Sequence, residues 1–497
     1  MNNILLSAVV VLYLTATAVL LLYGLNCYVM LALYARRRRA ARTAQTDILA
    51  KIGDPSRRAD LPVVTTQIAI YNEANVAERC LRAVCAMDYP RDKHEIQVLD
   101  DSTDGTVAIV DRVAGELLRQ GHDIKVLRRT HRLGFKGGAL AEGLAQARGT
   151  LLAIFDADFV PPADYLRLSV PFFLADPRLG FAQARWGHLN RRHSLLTRAQ
   201  SIGIDGHFIV EQIARGWNSL FMNFNGTAGI WRKQAILDGG NWQWDTLTED
   251  LDLSYRVQFA GWRPMYIPSL VVPAELPETL AAFRSQQFRW AKGSFETLIK
   301  LFPTLVRQPC PWFKKLQAVF HIAGYAVHPM MLALSLLAWP MLEISRRHLW
   351  LPNGFWAVTA LPLGLSILGP SLLYIVSQCE INRWRAWRVA CTIPLMMVVG
   401  VGFAFSNTRA IFQAIKGRKT EFVRTPKRGD REVVRYRAAF PWVALIEILL
   451  GGYSLLTVAR YLHDGAAAAV PFLAIYAAGY MFMGALSLVQ ALAPRTP

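Results

Sequence analysis

Asp100-Asp101 is followed by Ser102-Thr103-Asp104-Gly105, and Asp156-Ala157-Asp158 places two more carboxylates at i, i+2. Further along come Thr248-Glu249-Asp250 and then Gln286-Gln287-Phe288-Arg289-Trp290. Taken singly these are weak signals. An Asp after a strand is often a helix N-cap, as Asp104 can be, and Gln-x-x-Arg-Trp fits an interfacial helix with an aromatic anchor. In order along one chain they suit one reaction. A nucleotide-sugar donor has a diphosphate leaving group, whose departure builds negative charge that a divalent cation must neutralise. Two carboxylates on a strand end can hold the nucleotide-sugar and a hard Mg²⁺ or Mn²⁺ that keeps several of its waters. Arg289 can pair with phosphate at two points. A carboxylate beside the acceptor hydroxyl can act as general base. Trp290 offers a flat apolar face to a sugar ring. Lys136-Gly137-Gly138 lets backbone approach a diphosphate, and equally reads as a plain glycine-rich turn.

The elements that must position these residues follow from periodicity. Val63–Ile70 reads as a buried strand and Asn75–Met87 has helical spacing. Glu95–Leu99 is a strand ending at Asp100-Asp101, and a helix follows from about Asp104 to Arg119. Ile124–Leu127 is a strand, a helix starts near Gly138, and Leu151–Phe155 is a strand ending at Asp156. This βαβα rhythm predicts an α/β domain over 60–275 with a mostly parallel, helix-covered sheet. Ligands of such sheets bind beyond the carboxyl ends of the strands, where the acidic residues sit.

The rest of the chain is apolar. Of 497 residues 53% are hydrophobic and 18% charged, against about 25% charged in a soluble protein. Residues 4–34 are almost purely apolar and end at Arg36-Arg37-Arg38-Arg39. The run is long enough to span a bilayer, and its charge follows rather than precedes it, unlike a cleaved signal peptide. We assign 1–36 as a transmembrane helix with its C-terminal side in the cytoplasm. Residues 276–316 read as amphipathic interface helices carrying the Gln286–Trp290 pattern, 317–378 as a transmembrane pair and 438–491 as a second pair. The stretch 416–437 holds nine Lys/Arg against three acids, so it should be cytoplasmic. Both it and the sheet domain then face the cytoplasm, and an even number of crossings must separate them. Three apolar segments lie between. Residues 386–416, with Pro394, Gly400, Gly402 and Asn407-Thr408-Arg409, are the interrupted one, expected to lie at the interface or re-enter without crossing. Five spans result, with the N-terminus outside. The positive-inside clusters account for much of the net charge of +19, and no nucleic-acid partner is expected. The six cysteines form no CxxC pair or Cys/His cluster and read as buried hydrophobes.

With its motifs in this order the sequence resembles the glycosyltransferase family 2 membrane synthases: cellulose, chitin and hyaluronan synthases and the cellulose-synthase-like mannan synthases. The resemblance runs from Ala69-Ile70-Tyr71-Asn72-Glu73 to at least Lys427 and includes Asn225-Gly226-Thr227-Ala228-Gly229. It implies a GT-A (Rossmann-like) domain between transmembrane helices, and single-displacement chemistry that turns an α-linked donor into a β-linked product. By resemblance Asp250 is the base and Asp158 the metal ligand. Tyr71, Glu73, Asp100, Asp101, Lys136 and Asp156 hold the donor, Gln286 and Arg289 its diphosphate. Trp290, Asn225 and Glu249 attend the acceptor. Phe422-Val423-Arg424-Thr425-Pro426-Lys427, within 417–437, looks like the FxVTxK gating loop of cellulose synthase, with Arg424 where that pattern has Val. The implied protein sits in the plasma (inner) membrane and extends a β-glycan from UDP-glucose or GDP-mannose, passing it through its own helices. The alternative is a non-processive enzyme that glycosylates a lipid, of the glucosyldiacylglycerol or glucosylceramide synthase type. The sequence names no accessory export protein.

Overall fold

The computed structural model describes residues 3–52, 60–346, 355–382, 386–419, 427, 429 and 442–492. Strands rich in β-branched residues alternate with amphipathic helices through the first half: β1 (Val64–Ile70), α2 (Ala77–Cys85), β2 (His94–Asp100), α3 (Thr106–Arg119), β3 (Asp123–Leu127), α4 (Phe135–Gln146) and β4 (Leu151–Asp156), preceded by α1 (Asn3–Ile52). Then come α5 (Tyr165–Ala175), β5 (Leu179–His188), α6 (Leu195–Gly206), α7 (Gln212–Gly216), β6 (Gly229–Arg232), α8 (Lys233–Asp238), α9 (Glu249–Phe259) and β7 (Arg263–Ala274). The sheet runs β3-β2-β1-β4-β6-β5-β7. β1, β2, β3 and β4 are mutually parallel, and β6 is antiparallel to both β4 and β5. This is a GT-A, Rossmann-like mixed sheet. Register aligns Ile70 with Asp100 and Ala69 with Asp156, so the acidic strand ends share one edge. One apolar core fills each face of the sheet, around Val64, Ile68 and Phe155 on one side and Leu152, Ile154 and Trp231 on the other.

Helices flank this domain at both ends: α10 (Leu280–Arg307), α11 (Trp312–Ile322), α12 (Val327–Arg346), α13 (Phe355–Asn382), α14 (Ala386–Ala390), α15 (Ile393–Gly402), α16 (Ala404–Ile415), α17 (Trp442–His463) and α18 (Val470–Leu492). Five segments among the described residues are long and apolar enough to cross a membrane: Ile4–Ile52, Gly324–Arg346, Ala360–Ile381, Trp442–His463 and Ala467–Leu492. The chain is an integral membrane protein.

Three element boundaries differ from the sequence reading. α1 does not stop near Arg36. At about 1.5 Å per residue its 50 residues run about 75 Å, over twice the ~30 Å hydrocarbon core. Its second half docks on the sheet domain through Met30, Tyr34 and Ala41, while Arg38 and Arg42 pair with Glu380 of α13. The apolar run beginning at 317 divides into α11 and α12. The break falls at Ala323–Ala326, and Pro329 sits in the first turn of α12, where its missing N–H costs nothing. The interrupted segment divides into α14, α15 and α16, with a 43° bend between the last two.

Candidate active site

The carboxyl ends of β1, β2 and β3 carry a latched loop cluster. Asp100 accepts from Ser102 N at 3.0 Å and from Arg128 Nε at 2.9 Å. Arg129 grips Asp101 with both Nε (3.0 Å) and Nη2 (2.5 Å), the two-point geometry that guanidinium and carboxylate favour. Arg132 lies 3.3 Å above the Tyr71 ring centroid. Asn72 takes a positive φ of 55°, donates its backbone N–H to Ser102 Oγ and accepts from Thr103 N. Glu73 accepts from the N–H groups of Val76 and Ala77 through its carbonyl oxygen. The Asp100 side chain is wholly enclosed, so its bonds organise the loop. Sequence reasoning missed Arg128, Arg129 and Arg132, whose partners lie across strands rather than nearby in the chain.

Asp156 ends β4 and Asp158 follows it. The Asp156 backbone N–H donates to Thr227 Oγ1 at 2.9 Å, and its carboxylate pairs with Lys136 Nζ, which also donates to Gly226 O at 2.8 Å. Lys136 lies in the first turn of α4, because the helix begins at Phe135 rather than near Gly138. Burial works against its charge, but Asp156, Glu249 and Asp250 outweigh burial and hold its pKa above the ordinary value. Burial pushes Asp156 up, reinforced by Asp158 and opposed by Lys136. Asp158 pairs with Lys427 Nζ at 2.7 Å. Lys427 also donates to Glu275 O at 2.5 Å, and its own carbonyl accepts from Asn75 Nδ2 at 3.0 Å. Glu275 is anchored in turn by Arg79 at 2.7 Å. Phe422 and Thr425 lie outside the described residues. Among the described residues no three His, Cys, Asp or Glu side chains gather as a metal cage. A divalent cation is compatible with these residues: one or two carboxylates together with substrate phosphates form the oxygen set that a hard cation uses, and Asp156 and Asp158 supply two neighbouring carboxylates.

Glu249 and Asp250 open α9, with Asp250 Oδ1 accepting from Leu251 N at 2.8 Å. Burial, then the Glu249 charge, pushes Asp250 up to about 7, a value suited to taking a proton near neutrality. Gly226, at φ +80°, sits against it: a Cβ there would lie 2.9 Å from Asp250 Oδ2. α10 brings up Gln286, Arg289 and Trp290. Burial pushes Arg289 down to about 10 against the pull of Glu249 and Asp156, the carboxylates it faces. Gln286 is half-buried on the same helix. Gly293 lets α10 press on the Thr248 backbone, since a Cβ would stand 2.8 Å from Thr248 N. Asp250, Trp290 and Asn225 line a cavity of about 940 Å³ that continues among the spanning helices past Tyr325, Gly400 and Tyr476 to Gly465 in the α17–α18 turn. The arrangement can bind a polyanion among Lys136, Arg289 and Lys427 and can accept a proton at Asp250.

Residues 62–293 match the family model described as Glycosyltransferase like family 2. Glucomannan 4-beta-mannosyltransferase 2 of Arabidopsis thaliana is 40% identical over 267 residues, 53% of this chain and 50% of that protein. Glucomannan 4-beta-mannosyltransferase 1 of Cyamopsis tetragonoloba is 38% identical over 269 residues, 53% of this chain and 51% of that protein. The chain thus spans about half the length of these curated relatives. Among solved structures, a mannosyltransferase from Pyrobaculum calidifontis in complex with GDP-Man and Mn²⁺ aligns with a TM-score of 0.49 at 20% identity, covering 79% of this chain and 99% of that one.

Proposed function

We infer that the chain is an inverting, processive β-glycan synthase of the cellulose-synthase-like mannan-synthase type, a reading supported by the family 2 match over residues 62–293 and by the mannosyltransferase relatives. Its donor is a nucleotide-sugar, GDP-mannose ahead of UDP-glucose because the relatives are named as mannosyltransferases. The acceptor is the growing chain, and the product is a 4-linked β-mannan or glucomannan. The catalytic domain faces the cytoplasm of the plasma membrane and the N-terminus lies outside. Residues 386–416 enter the membrane face without crossing, and Lys427 stands beside the donor.

The acceptor hydroxyl oxygen forms a bond to the anomeric carbon as the bond from that carbon to the diphosphate oxygen breaks. The hydroxyl proton goes to Asp250, and the electron pair leaves with the nucleoside diphosphate. Lys136 and Arg289 face the developing charge, and Trp290 supports the acceptor ring. Asp158, with Asp156 beside it, would hold Mg²⁺ or Mn²⁺, which when bound neutralises the diphosphate. Lys427, on Asp158, adds a cation at the same place and helps exclude water.

The cavity carries this reading. Its lining extends from the proposed base to Gly465 in the α17–α18 turn, as the lining of a polymer path must and that of a single lipid glycosylation need not. The test incubates purified protein with labelled GDP-mannose and UDP-glucose and Mg²⁺ or Mn²⁺, sizes the product on a gel and digests it with β-mannanase or cellulase. A mannanase-sensitive polymer is expected. A product confined to lipid carrying one sugar would sink the processive reading.

A further inference from the structure

The chain between α6 and α7 does not follow a regular α-helix. His207–Glu211 form a single π-type turn, and such turns in helices often sit at functional sites. The turn is pressed against α13: at Gly206 a Cβ would lie 2.8 Å from Leu373 Cδ2. It therefore stands where the sheet domain meets the spanning helices.

Its polar side chains form one directed network. The Gln212 amide donates to Asn225 Oδ1 at 2.6 Å, and the Asn225 amide meets His207 Nε2 at 3.1 Å. Nε2 must then be the bare nitrogen, so Nδ1–H donates to Glu211 Oε2 at 2.9 Å. Each group is oriented by the one before it, and the chain of donors ends on a carboxylate. A third of the Glu211 side chain is accessible, and what it opens onto is the cavity that also holds Asp250 and Trp290. Burial opposes its ionisation, but the His207 hydrogen bond, with Arg215, holds its carboxyl below the ordinary range. Trp186 and Phe208, tilted rings 5.1 Å apart, line the same stretch. At the other end of the network Asn225 is followed by Gly226, the residue packed on Asp250. An oriented carboxylate beside aromatic rings suits a ligand with adjacent hydroxyls on an apolar ring face, which is a saccharide.

We propose that His207, Glu211 and Asn225 form a saccharide subsite at the entrance to the helix bundle, in which Glu211 accepts hydrogen bonds from hydroxyls of the acceptor chain behind its reacting end. His207 is a positioning residue that holds Glu211 and Asn225. The proposal deepens the synthase reading and rests on it for the acceptor's identity.

The test uses the full chain purified in detergent. Binding of a β-1,4-mannotetraose probe and of GDP is measured by calorimetry for wild type, Glu211→Gln and His207→Ala, together with acceptor KM and kcat. Glu211→Gln should weaken the tetraose, and raise acceptor KM, by about tenfold, the loss of one charge-assisted hydrogen bond, while GDP binding and kcat hold. His207→Ala should do the same more weakly, and Glu211→Asp should recover part of the loss. Unchanged tetraose binding in Glu211→Gln overturns the subsite. So does loss of GDP and tetraose binding together, which assigns Glu211 a structural role. A wild type that binds the tetraose through Glu211 but transfers no hexose to it keeps the subsite and sinks the synthase reading.

Discussion

At the scale of single residues, the carboxylate that opens α9 is poised by enclosure. Burial and the Glu249 charge raise Asp250 to about 7. Below that pH it is protonated and cannot take the acceptor proton; above it the carboxylate is available. The rising limb of kcat/KM against pH should therefore have its midpoint near 7, and a limb near the ordinary carboxylate range would show that enclosure does not raise Asp250 in the working enzyme. Asp250→Asn keeps the shape and loses the base. Transfer should fall by roughly 10²–10⁴-fold while calorimetry still shows nucleotide binding. Gly226→Ala tests the neighbour. Its φ of +80° disfavours a side chain, and the added methyl would lie 2.9 Å from Asp250 Oδ2. A misplaced base costs on the order of 10²-fold, so turnover should drop to about a hundredth with the circular dichroism spectrum unchanged.

At the scale of elements, parallel register makes the proposed donor edge and helix packing makes the proposed acceptor edge. β1, β2 and β4 end near one another: Asp156 stands level with Ala69 and Leu99, and Asp100 level with Ile70. α10 reaches them because Gly293 admits the Thr248 backbone. These strand ends were legible in the sequence, since each acidic pair terminates a short apolar run. The arginines that latch them were not: Arg128 and Arg129 find Asp100 and Asp101 only when β3 lies beside β2. Lys427 belongs to the same scale. As a solvated loop lysine it would contribute little; paired with Asp158 at 2.7 Å it should matter. Lys427→Ala should raise the donor KM by about tenfold, the scale of one charge-assisted contact, whereas Arg119→Ala at the exposed end of α3 should not. Equal donor kinetics for both would return Lys427 to a solvating role.

At the scale of the whole molecule, the proposed base and the spanning helices line one cavity, and two outcomes follow. Gly400 lines it with no atom within 4 Å of an added Cβ, so Gly400→Trp should fill the path without disturbing the sheet domain. The first transfers should continue while product length collapses, as a gel would show; full-length polymer would mean the chain leaves elsewhere. Arg284 on α10 and Glu447 on α17 form an enclosed pair at 2.7 Å, which ties the active-site helix to the bundle. The bent α15–α16 pair is the second outcome. Cysteines placed near 384 and 416 should both react only from the cytoplasmic side, and labelling of either from outside would make the segment a sixth span.

Periodicity and local chemistry alone marked the α/β class, the acidic strand ends, the Gln286–Trp290 helix and the apolar segments, because each is written within a window of a few turns or one strand. Helix ends inside apolar runs were beyond it. Nothing in the apolar run from 317 shows that α11 and α12 part at Ala323–Ala326, and α1 continues past Arg36–Arg39 because its far half has a sheet domain to pack on. Pairings between distant segments were beyond it too. Lys427 meets Asp158, and His207, Glu211 and Asn225 join into one network, only after the sheet, the π-type turn and the spanning helices are assembled. Hydrogen bonds and charge pairs depend on separation in space, and a sequence records separation along the chain.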